Sequence, residues 1–151
     1  MKIVIAGDRG MEGKQSVDLV YSIIDMCKEK YPKLRIVTKG TDRGIGKIIR
    51  TRLLDPTTRQ PRELDWTEVW IQHHLVNGDL SKIEFSSDYD SLNSALVEMG
   101  DEFHILSEEK PRGVTINLLR RILAANRPYA LYKPSDLEGK TADFPKEETK
   151  W

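Results

Sequence analysis

Three stretches of this chain combine glycine with groups that grip an anion. The first is Gly7-Asp8-Arg9-Gly10, which leads through Gly13-Lys14 into a helical pattern. Its glycines permit close backbone approach, the helix start offers unpaired N–H groups, and Arg9 adds a forked charge suited to phosphate or carboxylate. The second, Gly40-Thr41-Asp42-Arg43-Gly44-Ile45-Gly46-Lys47, repeats the recipe with a hydroxyl, an arginine and a lysine before another helix. In the third, Pro111-Arg112-Gly113-Val114-Thr115-Ile116-Asn117, Thr115 is placed to cap the following helix or donate to a phosphate, and Asn117 to read a ligand edge. One glycine turn before a helix is usually only a tight turn. Three on one edge point to a phosphate-bearing ligand.

Other chemistries fit less well. A phosphate-binding Walker loop fails by count: Asp8 and Thr41 fall where its first glycine belongs, and Gln15 and Ile48 replace the hydroxyl that holds magnesium. Adjacent His73 and His74 point to opposite faces of a strand and have no third ligand at useful spacing. Trp66 and Trp70 have rings to stack on a base, but a core aromatic paired with a surface one is the better account of at least one of them. Cys27 falls on an apolar helix stripe, where it reads as a small hydrophobe rather than a nucleophile. The expectation is therefore no metal, no cofactor and no catalytic residue.

The elements that must position these loops alternate. Lys2-Ile3-Val4-Ile5-Ala6 reads as a strand, and Val17, Val20, Ile24 and Cys27 as a helix stripe. Leu34–Thr38 is a second strand; Ile45, Ile48, Ile49 and Leu53 mark a second helix. Residues 55–65, with two prolines and no periodicity, read as an exposed loop with the reach of a lid. Glu68–Leu75 looks like a third strand ended by Asn77-Gly78, after which Lys82-Ile83-Glu84-Phe85 is left undecided as a hairpin partner. Asp90 is placed to cap a helix carrying Leu92, Ala95, Leu96 and Met99, stopped by Gly100. Glu102–Leu106, a helix with Ile116, Leu119, Ile122 and Leu123, and Tyr129–Tyr132 complete the series. The pattern predicts an α/β, Rossmann-like three-layer fold, a mostly parallel sheet of about five strands with flanking helices. Parallel strands send the three loops to one edge, where such sheets bind ligands.

Composition bounds the reading. The 151 residues suit one domain, assigned to 1–133, with a charged tail at 134–151 too poor in apolar residues to pack. Lysine and arginine number 24 and so do aspartate and glutamate, so no global field draws the chain to nucleic acid or membrane. A single cysteine excludes an intrachain disulfide and a cysteine-rich metal cluster, and suggests a reducing cytoplasm. No basic leader precedes the first strand, and no apolar run approaches membrane-spanning length.

Taken in order, the loops resemble the SLOG superfamily, the Rossmann-like group that includes Smf, LOG (lysine decarboxylase-like) and YspA-like proteins. The resemblance covers most of residues 2–133. Ile5-Ala6-Gly7-Asp8-Arg9 looks like its opening strand and turn, Lys39–Gly44 like its second phosphate loop, and Gly113–Asn117 with the helix and strand that follow like its late Gly-Thr turn. The resemblance implies a nucleotide or nucleotide-derived small-molecule partner, and a homo-oligomer. With the chemistry of the three loops, it sets the expected ligand contacts at Gly7, Asp8, Arg9, Gly10, Gly40, Thr41, Arg43, Gly44, Gly113, Thr115 and Asn117.

One departure bears on activity. The hydrolases of that group carry Pro-Gly-Gly-x-Gly-Thr-x-x-Glu, and this chain has Leu118 where the glutamate would stand. Without that acid, binding without turnover is the leading expectation, as in a sensor or sequestering protein for an ADP-ribose-type signal. The alternatives are N-glycosidic hydrolysis by a relocated carboxylate (Asp8, Asp42, Asp88 or Glu108), and single-stranded DNA binding through a patch of Arg50, Arg52, Arg59 and Arg62.

Overall fold

A computed structural model describes residues 1–8, 10–40, 43–71, 83–86, 89–108 and 113–133; stretches 70–71, 83–86 and 89–90 are described by backbone alone. In chain order the elements are β1 (Lys2–Gly7), α1 (Lys14–Lys30), β2 (Arg35–Lys39), α2 (Gly44–Leu53), β3 (Asp65–Ile71), β4 (Ile83–Ser86), α3 (Tyr89–Met99), β5 (Glu102–Leu106), α4 (Gly113–Ala124) and β6 (Tyr129–Tyr132). The strands form one six-stranded sheet in the order β4-β3-β2-β1-β5-β6, every neighbouring pair parallel.

The architecture is the expected Rossmann-like one, with two differences. The stretch left undecided as a hairpin contributes a strand of its own: β4 lies parallel to β3, with Trp70 opposite Phe85. This raises the strand number from about five to six. The third strand begins at Asp65 rather than Glu68. Gln72–Leu75, the Asn77-Gly78 turn and the tail at 134–151 lie outside the described residues.

Both faces of the sheet are covered, which explains the near-continuous apolar runs of the central strands. Ile3, Ile5, Ile36 and Trp66 pack under α1 and α2 through Leu19, Ile23, Ile24, Ile45, Ile49 and Leu53. Val4, Ala6, Val37, Val69, Phe103 and Ile105 face the other way, under Leu92 and Leu96 of α3 and Leu118, Leu119 and Ile122 of α4. Gly100 stops α3 as expected, and it does so in a confined space: an added Cβ would stand 2.5 Å from Val4 Cγ2 and 2.8 Å from Phe103 Cζ. Asp90, expected as the cap, falls inside α3, which begins one residue earlier.

Polar groups interrupt the α1 side of β5. His104 is fully buried, Glu102 nearly so, and Cys27 of α1 lies against them. Cys27 Sγ is 3.9 Å from His104 Nε2, and the same nitrogen is 3.2 Å from Glu102 Oε2. Tyr132 Oη stands 2.8 Å from His104 Nδ1, and the Tyr31 hydroxyl donates to Glu102 Oε1 at 2.8 Å. Burial, reinforced by the Glu102 charge, pushes the Cys27 thiol up to about 12, so at neutral pH it is a protonated core group.

The proline-containing loop after α2 is not a lid over the glycine loops. It runs from a helix into the start of β3, so it belongs to the opposite edge of the sheet. There it is tied down: Arg62 donates to the carbonyls of Thr51 and Arg52, and Glu63 accepts from Arg52 and Lys28. The Arg52 hydrogen bonds hold the Glu63 carboxyl down at about 2.

Candidate functional site

The strand order reverses between β1 and β5: from β1 the chain builds outward through β2, β3 and β4, then returns to β1's other side with β5. At such a switch point the loops leaving the carboxyl ends diverge and open a crevice. The loops after β1, β2 and β5 all leave by this edge, because every strand is parallel.

The first loop is braced across the switch point. Asp8 N–H donates to Leu106 O at 3.0 Å, and Asp8 Oδ2 accepts from the Ser107 hydroxyl at 2.8 Å and from Glu108 N–H at 3.1 Å. Gly7 is required here by the protein itself, since a Cβ would collide with the Leu106 carbonyl and crowd Ile45 at 3.1 Å. Gly10 is exposed with open space beside it, and Arg9 lies outside the described residues.

In the second loop Gly40 N–H is taken by Val69 O at 2.7 Å, so it serves the β2–β3 junction. Thr41 and Asp42 lie outside the described residues. Gly44 opens α2 at φ 68°, a left-handed conformation that disfavours side chains. Its N–H is occupied by an internal anion: Glu12 Oε1 accepts from it at 3.0 Å and lies 3.5 Å from Arg43 Nε. The Gly44 hydrogen bond, with Arg43 and Lys47 assisting against partial burial, holds the Glu12 carboxyl below its ordinary range.

The third loop is described from Gly113 onward, at φ 60°. Thr115 is not the cap of α4, since the helix begins two residues earlier; it is buried in the first turn. Asn117 faces α3, where its Oδ1 accepts from Asn93 at 2.9 Å and Arg121 at 3.1 Å. Leu118, at the position of the hydrolases' glutamate, is buried in the core beneath α4 rather than turned to the edge.

The sequence reading passed over three side chains at this edge: Glu12, Ser107 and Lys39. Lys39 ends β2 half-buried, and burial drags its ammonium down to about 8 while the Asp8 carboxylate opposes the shift. A lysine at the last position of a strand entering a glycine loop is the signal that identifies it. Because the folded-state value lies below the unfolded one, the cost of burying this charge is present below pH 8 and fades as pH rises toward 10.5. Lys39→Met should raise stability at pH 7 by about 1–2 kcal/mol. Urea melts at pH 7 and pH 10 check this gain, which must shrink at the higher pH. A variant less stable at pH 7 than the parent overturns it.

Three of the four arginines offered as a nucleic-acid patch are engaged internally. Arg50 binds Glu68, Arg52 binds Asp25 and Glu63, and Arg62 binds backbone carbonyls. Among the described residues, no helix is long and apolar enough to cross a membrane.

No family model matches the chain, and no curated protein matches it significantly. A solved structure does share the fold: the molybdenum cofactor binding protein from the phototrophic bacterium Rippkaea orientalis superposes with a TM-score of 0.65 at 11% identity, over 86% of this chain and 74% of that one.

Proposed function

We propose that this protein binds a phosphate-bearing nucleotide or nucleotide-derived ligand at the carboxyl edge of its sheet and does not consume it. The observation that carries the reading is the switch point between β1 and β5, with all three glycine loops leaving on that side. The Glu12 carboxylate on Gly44 N–H supports it, because that contact is the kind a phosphate oxygen makes at a helix start. Exposed Arg43, backbone N–H groups of the Gly113 turn and, on the strength of the sequence, Arg9 and Thr41 are added to these. Binding of a small-molecule cofactor by a protein of the same fold is in keeping with this reading.

Absence of turnover rests on Leu118 standing where the hydrolases keep their glutamate, although Glu12, Glu108 and Lys39 bring titratable groups to the same edge. Backbone N–H groups and arginines hold a ground state as well as a transition state, and uniform binding does not accelerate a reaction. Breaking an N-glycosidic or pyrophosphate bond requires a positioned acid or base. Asp8 is already committed to Ser107 and Glu108 N–H, and Leu118 carries no proton. The role is then that of a sensor or sequestering protein, for an ADP-ribose-type or related signal, working as a homo-oligomer.

Mass spectrometry of small molecules released by heating the protein purified from cells identifies the ligand class. Nucleoside monophosphates, NAD, ADP-ribose derivatives and the molybdenum cofactor should each be returned intact after incubation. Multiple turnovers of any of them, lost in Asp8→Asn or Glu108→Gln, would replace this reading with that of a hydrolase using a relocated carboxylate.

A further inference from the structure

The polar cluster beneath α1 runs from the start of β5 at Glu102 to its middle at His104, and it combines three side-chain types that ligate metals. Cys27 Sγ, His104 Nε2 and a Glu102 carboxylate oxygen, all on buried residues, lie within 4.8 Å of one another. A zinc ion at about 2.3 Å from sulfur and about 2.0–2.2 Å from nitrogen and oxygen sets tetrahedral donor pairs about 3.3–3.6 Å apart. The nitrogen–oxygen and sulfur–nitrogen separations are 3.2 and 3.9 Å and the sulfur–oxygen pair lies within 4.8 Å, so the sulfur must move inward, by up to about 1.2 Å, to complete the set.

The surroundings are arranged as metal sites require. Tyr132 Oη, 2.8 Å from His104 Nδ1, donates to that nitrogen when Nε2 carries the proton toward Glu102. It accepts from Nδ1–H when Nε2 is given to a metal, and so holds the ring in either tautomer. Tyr31 holds Glu102's other oxygen in the same manner. A thiolate and a carboxylate exactly neutralise a divalent ion, which lowers the cost of placing charge in the core. Tyr31, whose hydroxyl donates to Glu102, also lines an open cavity of about 540 Å³ with Lys2, Leu34 and Arg35.

We infer that Cys27, Glu102 and His104 form a binding site for one divalent transition metal of the zinc class. On binding, the thiol gives up its proton to solvent and an S–metal bond forms. The imidazole keeps its single proton, now on Nδ1, and the Nε2–H···Glu102 hydrogen bond is exchanged for two metal–ligand bonds. No electron is transferred.

The test uses the full chain stripped with chelator and titrated with Co²⁺. One equivalent should give a thiolate-to-cobalt charge-transfer band in the near ultraviolet, bleached by one equivalent of Zn²⁺. Zinc at a hundredfold excess over its dissociation constant should raise the thermal midpoint by about 5 °C or more. Cys27→Ser should lose the band and the zinc-dependent rise, whereas a His73→Ala, His74→Ala double variant should keep both. Should Cys27→Ser fail to fold, His104→Gln supplies the same comparison. A cobalt spectrum without a thiolate band, or a zinc effect abolished in the His73/His74 variant and intact in Cys27→Ser, overturns the site.

Discussion

Replacing Arg50 by alanine should cost about 3–5 kcal/mol of folding stability, the range for removing one partner of a buried ion pair. The reason lies on β3. The Glu68 side chain is only 2% exposed, and Arg50 reaches it from α2 through Nε at 3.0 Å and Nη2 at 2.7 Å. Alanine leaves a carboxylate under the helix layer without that cation, and desolvation rather than the lost attraction sets the size of the loss. Arg50→Met with Glu68→Leu removes both charges and should recover most of it, since well-packed apolar replacements of buried pairs are often neutral or better. Urea unfolding of the single and double variants decides. A cost under about 1 kcal/mol for Arg50→Ala would class the pair with exposed ones.

The second large effect concerns the edge. Arg43→Ala and Arg9→Ala should each weaken binding of the phosphate-bearing ligand by about 1.5–3 kcal/mol, roughly 10- to 150-fold, with little loss of fold. Arg43 is 62% exposed, so its removal does not disturb the core. Glu12→Gln should act in the opposite sense. Its carboxylate occupies Gly44 N–H and approaches Arg43, so a ligand phosphate must displace a tethered competitor. A neutral amide yields more easily, and affinity should rise severalfold. Titration calorimetry with the released ligand measures all three variants. Unchanged affinity in both arginine variants removes the phosphate-edge reading, and weaker binding by Glu12→Gln removes the competitor.

The fold was largely legible because its signals are local. Ile3–Ala6 has the continuous apolar character of a strand buried on both faces, and Ile45, Ile48, Ile49 and Leu53 repeat at helical spacing. The fourth strand was hidden because Asn77-Gly78 is a hairpin signal, while the parallel pairing of Ile83–Ser86 with β3 depends on the chain's longer course. The proposed edge was read from loops, not from contacts. Asp8 meets Ser107 across 99 residues and Glu12 meets Gly44 across 32, distances over which no periodicity or motif carries information. Asn117 shows the converse: its type suggested a ligand, and its place in α4 turned it toward Asn93.

The position of β1 also sets a timetable for synthesis. One of its edges is satisfied early by β2, but the other waits for β5, with Ile3 opposite Glu102 and Gly7 opposite Leu106. A ribosome adding about 5–20 residues per second needs roughly 5–20 s to make the intervening chain of about 100 residues. Throughout that interval the most apolar strand of the protein presents an open row of N–H and C=O groups, a template for pairing with a neighbouring nascent chain. Ribosome-bound chains halted after Gly100 should therefore be protease-sensitive and associate with one another, and those extended beyond Tyr132 should do neither. Protection already complete at the shorter length would mean that the amino-terminal half closes its own edge while it waits.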